Sequence, residues 1–203
     1  MKNPANSATN GCAPTQLHDL QQASSWVKRW SPLVKPGGSV LDVACGRGRH
    51  ACWFAALNHP VTVVDRSQEA IDSIALPATS CTKIVADIES GSWPLTGQLF
   101  DAVVVTNYLW RPLMPALLAC LAPGGVLIYE TFASGNETVG KPSNPDFLLR
   151  TGELLEICQG LRVVGFEDGF LPPTADRNAC FVQRIAAVKA APANVQPARY
   201  LLA

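Results

Sequence analysis

The residues best placed for chemistry lie in one short stretch, residues 39–51. Asp42 stands near the end of an apolar, β-branched run, and Gly46 and Gly48 follow within six residues. This pattern predicts a strand, a tight loop and a helix, with a loop backbone bare enough for a flat ligand to approach. Gly46, Gly48 and Ala51 also satisfy the spacing of a dinucleotide-binding loop. However, a carboxylate at Asp42 would repel a phosphate at the helix N-terminus, so the stretch favours a cationic ligand.

The segment Leu41–His50 resembles the first motif of class I S-adenosylmethionine-dependent methyltransferases, in which an acidic residue precedes three alternating glycines. Ala44 replaces the first of these glycines, whereas Gly46 and Gly48 keep the other two. The resemblance implies that S-adenosylmethionine is the cofactor and S-adenosylhomocysteine the product. The residues that it places at the cofactor's methionine end are Asp42, Ala44, Gly46 and Gly48, and Cys45 in the same loop is a further predicted cofactor-binding residue.

Asp65 follows the next predicted strand, about 20 residues after Asp42, which is where such folds place an acidic residue on a ribose. A carboxylate can accept hydrogen bonds from both ribose hydroxyls, and Arg66 is expected to flank the same sugar. The alternative role for Asp65 is to cap the helix that begins at Gln68, although Ser67 can do this instead.

Asp87 and Ile88 follow the third predicted strand. In the family resembled, an acidic residue at this point bonds the adenine amino group and its apolar neighbour packs on the ring. The resemblance therefore assigns Asp87 and Ile88 to the adenine. The alternative is that Asp87 is an ordinary turn aspartate.

Asn107 and Tyr108 come directly after strand four, at the edge where open α/β sheets bind ligands, and are expected to line the methyl path. Glu130 ends strand five. It could orient an acceptor or its proton, or it could bond loop amides. Tyr108 and Glu130 are therefore the candidate catalytic residues. The long loop between residues 131 and 150 is the candidate lid over the acceptor.

Apolar runs and turn residues predict strands at 39–43, 61–64, 82–86, 100–106, 126–130, 161–170 and 180–188. Helices are predicted at 16–31, 47–57, 68–76 and 151–159, with another after Pro112. The resemblance implies a Rossmann-like three-layer α/β sandwich around a seven-stranded, mostly parallel sheet. Its strand order would be 3-2-1-4-5-7-6, with strand seven antiparallel.

The composition fits one globular domain: 203 residues, 48% hydrophobic, 16% charged, formal net charge +0. We expect this domain at 15–190, a flexible tail at 1–14 and a loose tail at 191–203. The seven cysteines are scattered without a C-x-x-C pair, which predicts no metal, no disulfides and a cytoplasmic location. No run suggests a membrane span or signal peptide, and the balanced charge disfavours nucleic acid as a partner.

The predicted function is methyl transfer from S-adenosylmethionine to a small-molecule acceptor. The sulfonium is already an activated leaving group, so the enzyme mainly needs to position the reactants, and no obligatory base is expected. Two alternatives stay open: a non-catalytic S-adenosylmethionine-binding protein, and an NAD(P)-dependent oxidoreductase. The second is disfavoured by Asp42 and by the closing hairpin of strands six and seven. The acceptor atom, whether thiol, amine, hydroxyl or metalloid, is not indicated.

Overall fold

The computed structural model describes residues 22–175, 177–191 and Tyr200. The predicted tail at 1–14 lies outside the described residues, as does most of the tail at 191–203. The proposed domain boundaries therefore stay predictions. Within the described ranges, no helix combines the length and the apolar character that crossing a bilayer requires.

A seven-stranded sheet forms the centre of the fold, with strand order β3-β2-β1-β4-β5-β7-β6. Strands β1 to β5 pair in parallel, and β7 runs antiparallel to both β5 and β6. The predicted fold class is thereby confirmed. The strands are β1 Val40–Val43, β2 Val61–Asp65, β3 Cys81–Val85, β4 Phe100–Thr106, β5 Leu121–Phe132, β6 Arg162–Leu171 and β7 Cys180–Val188.

The central strands are buried on both faces, which explains their nearly continuous apolar sequence. Alternate residues of β4 point to opposite sides of the sheet. Val103 and Val105 pack in one hydrophobic cluster, and Ala102 and Val104 pack in the other. The sheet therefore separates two apolar layers and holds its strand ends rigidly at one edge.

Strand β5 starts five residues earlier than predicted, at Leu121 rather than Val126. The predicted turn at 122–125 interrupts its pairing with β4, where the register shifts between Phe100 and Ala102. Gly124 has a φ of +80°, as the third residue of a type II turn requires.

The helices are α1 Ser25–Trp30, α2 Arg49–Ala56, α3 Gln68–Asp72, α4 Met114–Ala119 and α5 Glu153–Ile157. Most are shorter than predicted. Helix α1 begins at Ser25 because the Ser24 hydroxyl accepts a hydrogen bond from the Val27 amide; residues 16–21 of the predicted helix lie outside the described residues. Ser67 caps α3 in the same way, as anticipated.

Helix α5 begins at Glu153, two residues later than the predicted start at Thr151. Gly152 is the residue before the helix, in a left-handed conformation with φ +71°. The side chain of Glu153 accepts a hydrogen bond from the Arg150 amide, at 2.8 Å. The first turn is thus stabilised by a carboxylate inside the helix and not by a hydroxyl before it.

Helix α1 packs on the sheet through two tryptophans, Trp26 and Trp30, each 2% exposed. The Trp26 indole N–H donates to the carbonyl of Ile185 on β7. A Cβ atom at Gly165 would lie 2.2 Å from the Trp30 ring, so glycine is needed for this contact. The described part of α1 is therefore a helix packed against the sheet through both tryptophans.

The segment between β5 and α5 is more ordered than a structureless loop. It contains 3₁₀ turns at Asn136–Thr138 and Pro145–Phe147. Asn136 is 1% exposed; its amide group donates to the Pro142 carbonyl and accepts from the Phe181 amide on β7. These bonds hold the segment against β7, so most of it is a fixed wall and not a free lid.

Candidate functional site

The loop between β1 and α2 turns through two glycines with positive φ, Gly46 at +54° and Gly48 at +74°. A Cβ atom at Gly46 would meet nothing within 4 Å, so the loop surface is open there. A Cβ atom at Gly48 would lie 2.8 to 3.2 Å from the side chain of Ile74. Gly46 therefore leaves space for a ligand, and Gly48 allows close packing.

Asp42 lies beneath this loop and is 1% exposed. Its Oδ2 accepts a hydrogen bond from the Ala51 amide at 3.1 Å. Burial raises the pKa of Asp42 to about 7, although that bond and the nearby charge of Arg49 act in the opposite direction. The carboxylate thus supports the first turn of α2, and its predicted contact with the methionine end stays a prediction.

The Cys45 side chain faces away from the loop surface. It is 7% exposed and belongs to the hydrophobic cluster beneath α2, together with Phe54. Burial raises the pKa of its thiol well above the usual range. The thiol is therefore buried among apolar side chains, and the predicted contact of Cys45 with the cofactor stays a prediction.

A cavity of about 200 Å³ lies at the carboxyl ends of β1 to β4. Six of the residues predicted to bind a cofactor line it, together with one, Glu89, that the sequence interpretation missed. The six are Ala44, Asp65, Arg66, Asp87, Ile88 and Tyr108. Because parallel strands end at the same edge of the sheet, these dispersed residues come together as predicted.

Asp65 links this cavity to the glycine loop. Its Oδ2 accepts from the Gly46 amide at 2.8 Å, and its Oδ1 accepts from the Ser67 amide at 2.9 Å. Ser67 itself supplies the side-chain cap of α3, so the capping alternative does not account for Asp65. Each carboxylate oxygen keeps a lone pair for a further donor, such as a sugar hydroxyl.

Asp87 combines both of the roles considered for it. Its carboxylate accepts bonds from the amides of Glu89 and Ser90 and from the Ser90 hydroxyl, as a turn aspartate does. The Ser90 hydroxyl bond, followed by the two amide bonds, lowers the pKa of Asp87. The residue nevertheless lines the cavity, next to Ile88.

The Tyr108 hydroxyl is buried beside the Glu89 side chain, which lines the same cavity. Burial, followed by the negative charge of Glu89 and a hydrogen bond to it, raises the pKa of Tyr108 above its usual range. The phenol is therefore protonated at neutral pH and is a donor, not a base. A phenol donor on a cavity wall can bond either Glu89 or a ligand that offers an acceptor.

A second cavity, of about 460 Å³, lies at the ends of β4, β5 and β7. Asn107 lines this larger cavity, whereas its neighbour Tyr108 lines the smaller one. The Asn107 backbone has a φ of +54°, and its amide donates to the Glu130 carbonyl at 2.9 Å. The end of β4 therefore separates two adjacent cavities.

Glu130 faces the larger cavity and is paired with Arg184, which lies opposite it on β7. The Arg184 Nη1 donates to Glu130 Oε2 at 2.9 Å, and both side chains are 12% exposed. Arg184 also pairs with Glu167 on β6, at 2.6 Å. The expected alternative, a Glu130 side chain bonded to loop amides, is wrong for the described residues: the ion pair takes its place.

His50 connects three elements near the larger cavity. Its Nε2 accepts from the Ser24 amide before α1, at 3.3 Å, and its Nδ1 lies 3.4 Å from the Thr106 hydroxyl at the end of β4. Burial and the charge of Arg49 lower the pKa of His50 to about 3. A neutral ring protonated on Nδ1 satisfies both contacts, so His50 acts as a fixed structural link.

Comparisons with known proteins agree on one family. A model described as a methyltransferase domain matches residues 40–125. Among curated proteins, the chain is 28% identical over 120 residues to the candidate methyltransferase YqeM of Bacillus subtilis (strain 168). That alignment covers 54% of this chain and 48% of YqeM, so the chain spans about half the length of this relative.

Among solved structures, TehB from Haemophilus influenzae matches with a TM-score of 0.71 at 19% identity, covering 86% of this chain and 65% of TehB. The chain thus has the fold of class I methyltransferases. The glycopeptide N-methyltransferase MtfA, solved in complex with S-adenosylmethionine, matches with a TM-score of 0.58 at 18% identity, covering 83% of this chain and 94% of MtfA. At such identities the likeness to both structures is one of fold.

Ala44 is the point at which this chain departs from the glycine-rich motif of class I methyltransferases. It adopts a φ of +50°, the left-handed conformation that the motif glycine would adopt freely. An alanine in this conformation costs roughly 1–2 kcal/mol. The loop thus keeps the shape of the motif although its first glycine is missing, because the neighbouring bonds to Asp65 and Asp42 hold it.

Proposed function

We propose that this chain binds S-adenosylmethionine and transfers its methyl group to a small-molecule acceptor. The supporting observation is the meeting of two cavities at Asn107 and Tyr108, beside the open glycine loop. The smaller cavity offers acceptors for a ribose and an adenine amino group, at Asp65 and Asp87. The larger cavity begins at Asn107, the residue predicted to line the path of the methyl group.

The residues present fit the cofactor. Asp65 has lone pairs free for two ribose hydroxyls, and Ile88 supplies an apolar surface for a flat ring. The protonated Tyr108 hydroxyl supplies a hydrogen-bond donor on the cavity wall. The open face of Gly46 lets the amino-acid end approach the loop backbone, and a cation above Asp42 would favour the ionised form of this buried carboxyl group.

S-adenosylmethionine, when bound, supplies a methyl group on a sulfonium that is already an activated leaving group. The chain's own task is then to align donor and acceptor and to exclude water. Asn107 would line the methyl path and Tyr108 would hold the nucleoside side of it. No base is assigned, because Tyr108 stays protonated and Glu130 is held by Arg184.

Titration calorimetry with S-adenosylmethionine, S-adenosylhomocysteine and oxidised nicotinamide dinucleotide tests the proposal. We expect the first two to bind, and Asp65→Asn to weaken both by at least tenfold. Asp72→Asn, on the exposed side of α3, is the matched control and should bind like the parent protein. Binding of the dinucleotide alone would overturn the proposal in favour of the oxidoreductase alternative.

A non-catalytic S-adenosylmethionine-binding protein remains the second candidate function. This alternative predicts that the path of the methyl group is blocked. Instead, Asn107 lines a cavity of about 460 Å³ that could hold an acceptor. The geometry therefore favours turnover over binding alone.

A further inference from the structure

The larger cavity has an unbalanced charge. Among the described residues that line it, four carry a positive charge and one carries a negative charge. They are Arg49, Lys141, Arg177 and Arg184, against Glu130. A cavity wall with an excess of one sign attracts ligands of the other sign, more strongly so in a partly desolvated site.

Part of this positive charge is already compensated. Arg184 is held between Glu130 and Glu167, at 2.9 and 2.6 Å, and is neutralised by them. The remaining three cations have no such carboxylate partner among the described residues. Arg177 donates to the Pro172 carbonyl, which satisfies one N–H group but leaves its charge in place.

Arg49 provides the most specific observation. Its guanidinium is half-buried, yet it makes no hydrogen bond or salt bridge within the part of the chain that the structure describes. Burial lowers the pKa of Arg49, while the negative charges of Glu130 and Asp42 oppose that effect. A guanidinium has five N–H donors, and those of Arg49 have no acceptor among the described side chains. A ligand with acceptor oxygens could therefore pair with them in place of solvent.

The rest of the wall combines apolar side chains with the polar residues Ser24, Ser25, Asn107 and Asn178. Phe132 on β5, Val182 on β7, Leu171 at the end of β6 and Val139 in the 131–150 segment all line the cavity. Its volume of about 460 Å³ is within the usual range for sites that hold small organic molecules. The cavity thus combines an apolar surface with a cationic one.

We propose that the methyl acceptor is a small organic carboxylate, with its apolar body against Phe132 and Val182 and its carboxylate held by Arg49, Lys141 and Arg177. This inference rests on the proposed function, because it assigns the larger cavity to the acceptor. Bidentate pairing of Arg with the carboxylate would fix the orientation of the bound acceptor as well as strengthen its binding.

A carboxylate at these cations has a second possible source. The methionine end of the cofactor carries a carboxylate of its own, and Arg49 directly follows Gly48 in the loop. The experiment therefore measures a separate carboxylate on protein that is already saturated with S-adenosylhomocysteine. In that complex the carboxylate of S-adenosylhomocysteine already occupies its own site, so the titration measures binding at the acceptor site alone.

The probes are 3-phenylpropionate and its neutral amide, titrated by calorimetry into the S-adenosylhomocysteine complex at low salt. We expect the carboxylate to bind at least tenfold more tightly than the amide. The double variant Lys141→Gln, Arg177→Gln, both at exposed positions, should remove most of this preference while leaving S-adenosylhomocysteine affinity unchanged. Lys35→Gln is the control, since Lys35 is 70% exposed and pairs with Asp101 at the opposite end of the sheet.

Equal affinity for carboxylate and amide would overturn this inference alone, provided that S-adenosylhomocysteine binds. A carboxylate preference that survives the double variant would refute the assignment to Lys141 and Arg177. If the double variant binds S-adenosylhomocysteine more weakly, and the parent protein binds carboxylate and amide equally, Lys141 and Arg177 contact the cofactor. That result would overturn their assignment to the acceptor. Failure of S-adenosylhomocysteine to bind at all would instead refute the proposed function.

Discussion

Replacing Asp42 by Asn should stabilise the protein at alkaline pH while weakening cofactor binding. Burial raises the pKa of Asp42 from 3.8 to about 7, a difference of about three units. Each unit corresponds to about 1.4 kcal/mol, so the ionised carboxylate destabilises the folded protein by about 4 kcal/mol above pH 7. Asparagine removes this cost, although its amide N–H₂ group needs a partner, which reduces the gain by about 1–3 kcal/mol.

The sign of the effect depends on pH in a defined way. Below pH 4 both the folded and the unfolded protein hold Asp42 protonated, so its charge has no effect on stability. Between pH 4 and 7 the unfolded state loses the proton first, and the stability contributed by Asp42 falls as pH rises. Above pH 7 both states are ionised, and the cost stays constant. The stability of Asp42→Asn relative to the parent should therefore rise from pH 4 to 7 and then level off.

Urea unfolding of both proteins at pH 5, 6, 7 and 8 measures this difference, provided that each transition is reversible and two-state. Other titrating groups affect both proteins equally and cancel. Asp72→Asn, at an exposed carboxylate, should show no comparable rise. A stability difference between Asp42→Asn and the parent that does not change with pH would refute the argument that desolvation dominates at Asp42. Calorimetry at pH 8 should show S-adenosylmethionine affinity reduced by about tenfold, because the negative charge beneath the loop is lost.

Two further predictions concern stability. His50→Gln should differ less from the parent in free energy of unfolding at pH 5 than at pH 8. The parent holds His50 neutral with a pKa of about 3, so its free energy of unfolding falls by about 1.4 kcal/mol per pH unit as pH falls below 6.5. Urea unfolding at both pH values measures the difference between the proteins, and a difference that does not change with pH would contradict a neutral His50. Glu153→Gln should lower the free energy of unfolding, measured with urea, by about 2 kcal/mol. The Glu153 side chain is 4% exposed and pairs with two Arg111 nitrogens at 2.6 and 2.9 Å. This loss is below that expected for a fully buried ion pair because the Arg111 side chain is 37% exposed. A loss below 0.5 kcal/mol would show that the Arg111 pairing adds little.

The central strands were predictable from sequence because they are buried on both faces of the sheet. Strand β4 matches its predicted bounds of 100–106, since an unbroken apolar run between polar residues has clear ends. The helices were less predictable. Helix α3 ends at Asp72, four residues before the predicted end, because the apolar periodicity continues through Ile74 and Leu76 after the helical backbone has stopped. Both residues still pack on the core, from irregular backbone.

The smaller cavity was predictable for a topological reason. Its residues all follow strands that run in parallel, so their position at one edge requires only the strand order. The larger cavity was not. The pairing of Glu130 with Arg184 depends on the antiparallel register of β5 and β7, which a periodic pattern does not specify. Arg49 could have been noticed because it directly follows Gly48, but its lack of a partner is a property of the folded structure.

A crystal structure of the protein with S-adenosylhomocysteine is the most direct test of the central claim, which is that the two cavities are the donor and acceptor sites of one methyl-transfer centre. We predict adenosine in the smaller cavity, with ribose hydroxyls on Asp65 and the adenine near Asp87 and Ile88. The sulfur should lie beside Asn107, facing the larger cavity. Adenosine in the larger cavity, or a sulfur directed away from Asn107, would contradict the account.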